Sequence, residues 1–246
     1  IYWARILASV WQEHQGLGDM SVQAHASEIP RILLLTFFSL FLKMNQLRYA
    51  YTFLMLVLGS VGVYLFLKRV IFAKYTVLSA NVGAFLGGLL YLLNLGTLQH
   101  FYVPLEIFLT HYGYLGWVFL FSTKFFESGK KKHLLLFLIV SFFIAPQAHT
   151  STLFYAYFLL FLVYFGVLLL FHLHRGAFKV SFSRYLILFV AAVLINSFWL
   201  LPNLYFAVSH GKEIQEAKIT QLFSTEAFLQ NEAFGNIKDV AILKNF

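Results

Sequence analysis

The chain has 246 residues, of which 60% are hydrophobic and only 11% charged, with a formal net charge of +8 and no cysteine. This composition is typical of an integral membrane protein and argues against a soluble domain. The lack of cysteine excludes disulfides, thiolate nucleophiles and cysteine metal sites. Because the basic residues flank apolar segments, where membrane orientation accounts for them, we expect no nucleic-acid binding.

Apolar segments follow one another along most of the chain. Residues 29–42 predict a helix that lies at the membrane interface or dips into it. A bilayer is crossed by ~20 apolar residues. On that basis we predict spans at residues 49–67, 77–93, 112–122 (short or tilted), 134–145, 152–171 and 185–201. The predicted fold class is therefore all-α, a polytopic transmembrane helical bundle.

Lysine and arginine fall in alternate loops. They follow the spans that end at residues 67, 122 and 171, whereas residues 94–111 and 146–151 contain none. Since short cytoplasmic loops collect positive charge, the loops without cations should be external, and so should both ends of the sequence. The predicted interfacial helix is flanked by an outer cluster of cations that does not follow this pattern, namely Arg31, Lys43 and Arg48.

Three regions follow from this topology. Residues 1–48 would form an outer loop with the interfacial helix, and residues 49–202 the transmembrane core. The composition becomes polar after Pro202, so residues 203–246 would begin an extracytoplasmic segment. Because the sequence starts at Ile1 without a Met or a signal-peptide pattern, we expect a fragment whose first span lies upstream.

Polar residues beside the spans are the candidates for chemistry, since hydrocarbon penalises them unless they face a cavity or a partner. Residues 96–111 are too interrupted to span and predict a re-entrant or interfacial segment. Its His100, Glu106 and His111 suit proton transfer or cation binding, or they solvate a surface helix. His149 lies in a second outer break between spans, where it is a candidate ligand or a solvated turn residue.

Two further outer clusters contain candidate residues. Asn196 and Trp199 lie near the end of the last span, where Trp199 is alternatively an interfacial anchor. In the N-terminal loop, Asp19 follows a flexible glycine pair and is either a general base or a solvated loop acid. A separate set of glycines predicts close packing between spans: Gly59, Gly62, Gly83, Gly87 and Gly88.

Three stretches resemble a known family. Trp11 with Gly-Leu-Gly at residues 16–18 and residues 27–30 is similar to the first outer loop of bacterial GT-C membrane glycosyltransferases. Leu-Leu-Tyr-Leu-Leu-Asn at residues 89–94 resembles the end of one of their spans. Asn-Ser-Phe-Trp-Leu-Leu-Pro at residues 196–202 resembles a late-span signature. The similarity is to the N-terminal GT-C domain of the alpha-arabinofuranosyltransferases and to YfhO-type membrane proteins.

The resemblance implies an enzyme of the bacterial cytoplasmic membrane that serves the cell envelope. Such an enzyme moves a sugar from a polyprenyl-phosphate donor to an extracytoplasmic glycan or protein, with an outer carboxylate as base and in some members a divalent cation. Asp19 would be the base, and the donor would contact His100, Glu106, His149, Asn196 and Trp199. The family's acid precedes the Gly-Leu-Gly stretch, however, whereas Asp19 follows it, so the family's catalytic position would lie upstream of this sequence.

Two other classes of function stay open. A lipid or polysaccharide transporter should carry charged residues deep within its spans, and this chain has almost none there. A non-catalytic membrane scaffold for polymer assembly would use the same helices without requiring a carboxylate.

Overall fold

The computed structural model describes residues 26–94, 96–97, 106–149, 151–173, 178–216 and 229. Within these ranges the chain is helical and has no strands, which confirms the all-α helical bundle. The helices are α1 Ile29–Ser39, α2 Met44–Phe66, α3 Val77–Leu93, α4 Glu106–Ser128, α5 Lys131–Phe143, α6 Ser151–Leu173 and α7 Phe178–Glu216. A π-helical turn, Leu67–Ile71, extends α2, and a 3-10 turn, Ala145–His149, follows α5.

Two compact units divide the chain, Ile1–Pro202 and Asn203–Phe246. In the first unit, α2 packs against both α3 and α4, and α4 packs against α5. Helix α1 contacts α2, α5 and the 3-10 turn. Aromatic side chains of α4, α5 and α6 fill the main core together with residues of α7. In the second unit, the described residues are the end of α7 and Leu229.

Within the described residues, three helices are long and apolar enough to cross a bilayer, namely Met44–Ile71, Leu153–His172 and Phe178–Tyr205. Helix α6 illustrates why lipid must cover the outer faces of these helices. Its Phe161 and Phe165 are fully buried, whereas Leu160 and Val163 on the other face are more than half exposed. A helix that is apolar on all sides needs an apolar solvent around its exposed face. The chain is therefore a multi-pass membrane protein, as predicted.

Helix α4 corrects the last part of the predicted re-entrant segment, residues 106–111. The helix starts at Glu106 and runs 23 residues to Ser128, so Glu106 and His111 lie on its first two turns. At 1.5 Å per residue it is about 35 Å long, comparable to the thickness of a bilayer. Glu106 is itself a sequence signal for this position, because an acidic residue is favoured in the first turn of a helix.

Other helix boundaries also differ from the prediction. Lys68 and Arg69 lie in the π-helical turn that continues α2, and not in a loop. Helix α5 ends at Phe143 because Pro146 cannot continue the backbone hydrogen bonding and restricts the residue before it. Helix α7 continues past Pro202 to Glu216, although the polar composition there predicted water-facing chain that begins after the proline.

Glycines bring α2 and α4 into backbone contact, which confirms the predicted packing role of Gly59 and Gly62. A Cβ atom added to Gly59 would lie 2.3 Å from the ring of Tyr112. One added to Gly116 would lie 2.5 Å from the backbone carbon of Gly62. The two helices can therefore cross this closely only with glycine at the contact.

An arginine from α7 caps the C-terminus of α4. Helix α4 ends at Ser128 and is followed by Gly129, whose φ of 69° lies in the left-handed region that favours glycine. Arg184 Nη1 donates hydrogen bonds to the carbonyl oxygens of Phe126 (3.0 Å) and Glu127 (2.7 Å). A cation at this position also complements the helix dipole. Arg184 therefore ties α7 to the end of α4.

Candidate functional site

Among the residues that the structure describes, five ionisable residues meet at the end of the bundle where α2 and α4 begin. Glu28 directly precedes α1, Arg31 lies on the first turn of α1, and Arg48 on the second turn of α2. Glu106 is the first residue of α4, and His149 is the last residue of the 3-10 turn. We call these five residues the ionic cluster.

Arg31 and Glu106 are the centre of the ionic cluster. Arg31 Nη2 donates to Glu28 Oε2 at 2.7 Å, and its Nη1 pairs with Glu106 Oε2. The second oxygen of Glu106 accepts from Arg48 Nε at 2.9 Å. His149 Nδ1 lies 3.4 Å from Glu28 Oε1. The cluster thus balances two carboxylates against two guanidinium groups, with a histidine at one side.

The two arginines differ in how far their side chains are exposed to solvent. The side chains of Glu28, Arg31 and Glu106 are between 11% and 17% exposed, whereas that of Arg48 is 60% exposed. Burial lowers the pKa of Arg31, but the carboxylates of Glu28 and Glu106 outweigh it, so the pKa is raised above its ordinary value. Arg31 therefore stays charged at any working pH, while Arg48 is the arginine that a solute can reach.

A polar pair lies beside the ionic cluster on the same elements. His111 of α4 shares a hydrogen bond between its Nδ1 and the Oε1 of Gln147, which is fully buried in the 3-10 turn. The Nε2 atom of Gln147 and the Nε atom of Arg31 are buried without a hydrogen-bond partner among the residues that the structure describes. Buried polar atoms are nearly always paired in native proteins. The two open donors therefore fit a site that is completed by a ligand or water.

The structure places the predicted site residues in three different settings. Glu106 and His149 are joined through Glu28 and Arg31 in the ionic cluster. Asn196 and Trp199 instead bond to each other in the core, with Trp199 Nε1 donating to Asn196 Oδ1 at 2.9 Å. Trp199 is fully buried and packs edge-on against Phe154 at 4.5 Å, so it is not an interfacial anchor. Asp19 and His100 lie outside the described residues.

Sequence reasoning did not select Glu28, Arg31 or Arg48 as site residues. A signal for the arginines was present, since both are cations on the side where the loops otherwise lack them. Their pairing with Glu28 and Glu106 accounts for this exception. In the part of the chain that the structure describes, no three His, Cys, Asp or Glu residues come together as a metal site.

Comparison with known proteins adds no further assignment: no family model, curated protein or solved structure matches the chain.

Proposed function

We propose that this chain is a membrane glycosyltransferase that moves a sugar from a polyprenyl-phosphate donor to an extracytoplasmic glycan or protein acceptor. The observation that carries the proposal is the ionic cluster, a compact set of ionisable groups at one end of a bundle built mainly from apolar helices. Ionisable side chains in membrane proteins cost free energy to retain, and they mark substrate sites more often than stabilising contacts.

The arginines fit the phosphate of such a donor. A guanidinium group binds a phosphate through two parallel hydrogen bonds, and this geometry is favoured over a point charge for phosphate recognition. Arg48 is 60% exposed and pairs with Glu106, so it is the arginine that a bound phosphate would contact. Arg31 pairs with the carboxylates of Glu28 and Glu106, and its role would be to hold Glu106 in position.

In this proposal the donor phosphate competes with Glu106 for Arg48. Once the phosphate is bound, one oxygen of Glu106 becomes available to a second substrate. The acceptor oxygen attacks the anomeric carbon, and the bond from that carbon to the phosphate oxygen breaks with its electron pair. The polyprenyl phosphate leaves, and the acceptor proton passes to a carboxylate. Glu106 is the candidate in the described residues, while Asp19 is the base that the sequence predicted.

A non-catalytic scaffold is the second candidate, and the mutual pairing within the ionic cluster favours it. Glu106 accepts from two arginines and Glu28 from one arginine, so each carboxylate already has a cationic partner. Such a network also serves to fix α1, α2 and α4 relative to one another. A lipid or polysaccharide transporter has no comparable support from the described residues.

Transfer of radiolabelled sugar tests the proposal. The protein in lipid is given a panel of polyprenyl-phosphate sugars and an acceptor extract, with divalent cation or with a chelator. We expect transfer from one donor, and a loss of roughly tenfold or more in Glu106→Gln if its carboxylate takes the proton. Asp19→Asn tests the alternative base in the same way.

Glu127→Gln is the matched control, because Glu127 lies at the other end of the same helix and pairs with Lys124 at 3.3 Å. Its transfer rate should stay within about twofold of the unmodified protein, since an exposed ion pair contributes little. No transfer from any donor, by protein shown to be folded, would contradict the enzyme and favour the scaffold.

A further inference from the structure

A basic cavity lies at the end of the bundle opposite the ionic cluster. It has a volume of about 330 Å³ and lies between the π-helical turn, α4 and α5. Its polar lining consists of Arg69, Lys124, Lys132 and His133, and its apolar lining of Leu120, Phe121 and Leu136. The cavity is therefore cationic on one side and apolar on the other.

The backbone at the start of α5 adds to the positive potential. Lys132 and His133 are in the first turn of this 13-residue helix, which contains no acidic residue and has no side-chain cap. The first turn of a helix carries unpaired N–H groups and a partial positive charge, and it binds phosphate groups readily. Of the acidic residues that the structure describes, Glu127 lies near the lining, where it is half exposed and pairs with Lys124 at 3.3 Å. Arg69 and Lys132 therefore provide the main charge for an anion.

We propose that this cavity binds the phosphate headgroup of an anionic phospholipid. The apolar lining favours a lipid over a free phosphate, because Leu120, Phe121 and Leu136 offer the acyl chain a surface that a soluble anion cannot use. Basic pockets between membrane helices are suited to anionic headgroups. The inference requires only that the chain lies in a bilayer, and it is independent of the proposed transferase activity.

Lipid retention in native mass spectrometry tests this proposal. The purified protein is mixed in detergent with phosphatidylglycerol or with phosphatidylcholine of the same acyl chains. We expect the unmodified protein to retain phosphatidylglycerol on the order of tenfold better. The double variant Arg69→Gln with Lys132→Gln should lose this preference, and Arg69→Lys with Lys132→Arg should keep it.

The matched control removes two charges that are close to Arg69 and Lys132 in the sequence but lie outside the cavity. Lys74 and Lys131 are exposed and do not line it. Lys74→Gln with Lys131→Gln should retain phosphatidylglycerol within about twofold of the unmodified protein, since general surface attraction is a small part of binding in a formed pocket.

Three results would overturn the inference. One is equal retention of the two lipids by the unmodified protein, which needs no variant to fold. Another is an equal loss of phosphatidylglycerol retention in the two double variants that remove charge, which would indicate nonspecific attraction. The third is displacement of phosphatidylglycerol by glycerol 3-phosphate at a similar concentration, which would identify a free phosphate as the ligand.

Discussion

The two ion pairs of Glu106 should differ strongly in their contribution to stability. The same carboxylate meets Arg31, which is 11% exposed, and Arg48, which is 60% exposed. Double-mutant cycles built from Glu106→Gln with Arg31→Gln, and from Glu106→Gln with Arg48→Gln, isolate the two coupling free energies. We expect the cycle with Arg31 to give the larger value.

The magnitudes follow from burial. Breaking a buried ion pair costs about 3–5 kcal/mol when it leaves a charge unpaired. Arg31 keeps Glu28 at 2.7 Å after Glu106 is neutralised, so we expect a coupling of about 2 kcal/mol. The pair with Arg48 faces water and should contribute about 0.5 kcal/mol. Added salt should remove most of the Arg48 coupling and little of the Arg31 coupling.

Reversible unfolding in mixed micelles of mild and denaturing detergent provides these free energies, with tryptophan fluorescence as the signal. The pair Lys124–Glu127 on α4 is an exposed reference, with side chains 30% and 50% exposed. Its cycle should match that of Arg48 and Glu106. Equal couplings for Arg31 and Arg48, or a larger value for Arg48, would refute the argument from burial.

Two further predictions concern the packing of α4. Gly116→Ala should lower the free energy of unfolding by about 1–3 kcal/mol, because its Cβ would meet the backbone of Gly62. Gly166→Ala is the control, since a Cβ added there has nothing within 4 Å. Equal unfolding free energies for the two variants would contradict the close crossing of α2 and α4. Arg184→Gln should lower the free energy of unfolding by about 1–2 kcal/mol, because it removes the hydrogen bonds to the carbonyl groups that end α4. Lys179→Gln, at an exposed position on the same helix, should leave the free energy of unfolding unchanged. Similar effects of the two substitutions would rule out the capping role.

The sequence predicted the helical elements well because apolar length is a direct requirement of a bilayer. Residues 77–93 were predicted as a span and form helix α3 with the same bounds. Helix ends were predicted less well where tertiary contacts decide them. The charge pattern placed Lys68 and Arg69 in a loop, but they lie in the π-helical turn, which packs against α3.

The candidate site was predicted only in part, and the reason is physical. Glu106 and His149 were selected as isolated polar residues beside spans. Their connection through Glu28 and Arg31 joins residues that are far apart in the sequence, and no periodic pattern encodes such contacts. Asn196 and Trp199 have the same polar character in the sequence, but three residues of separation on α7 let them satisfy each other in the core.

The transferase proposal places the ionic cluster on the outer side of the membrane and the opposite end of the bundle on the inner side, and labelling of single cysteines tests this arrangement directly. The chain has no cysteine, so Asn45→Cys at the start of α2 and Ala73→Cys after its π-helical turn each introduce a unique exposed thiol. With an impermeant maleimide applied to intact cells, we predict that Asn45→Cys reacts at once and Ala73→Cys only after permeabilisation. Labelling of both positions from the same side would show that α2 does not cross the membrane and would contradict the account.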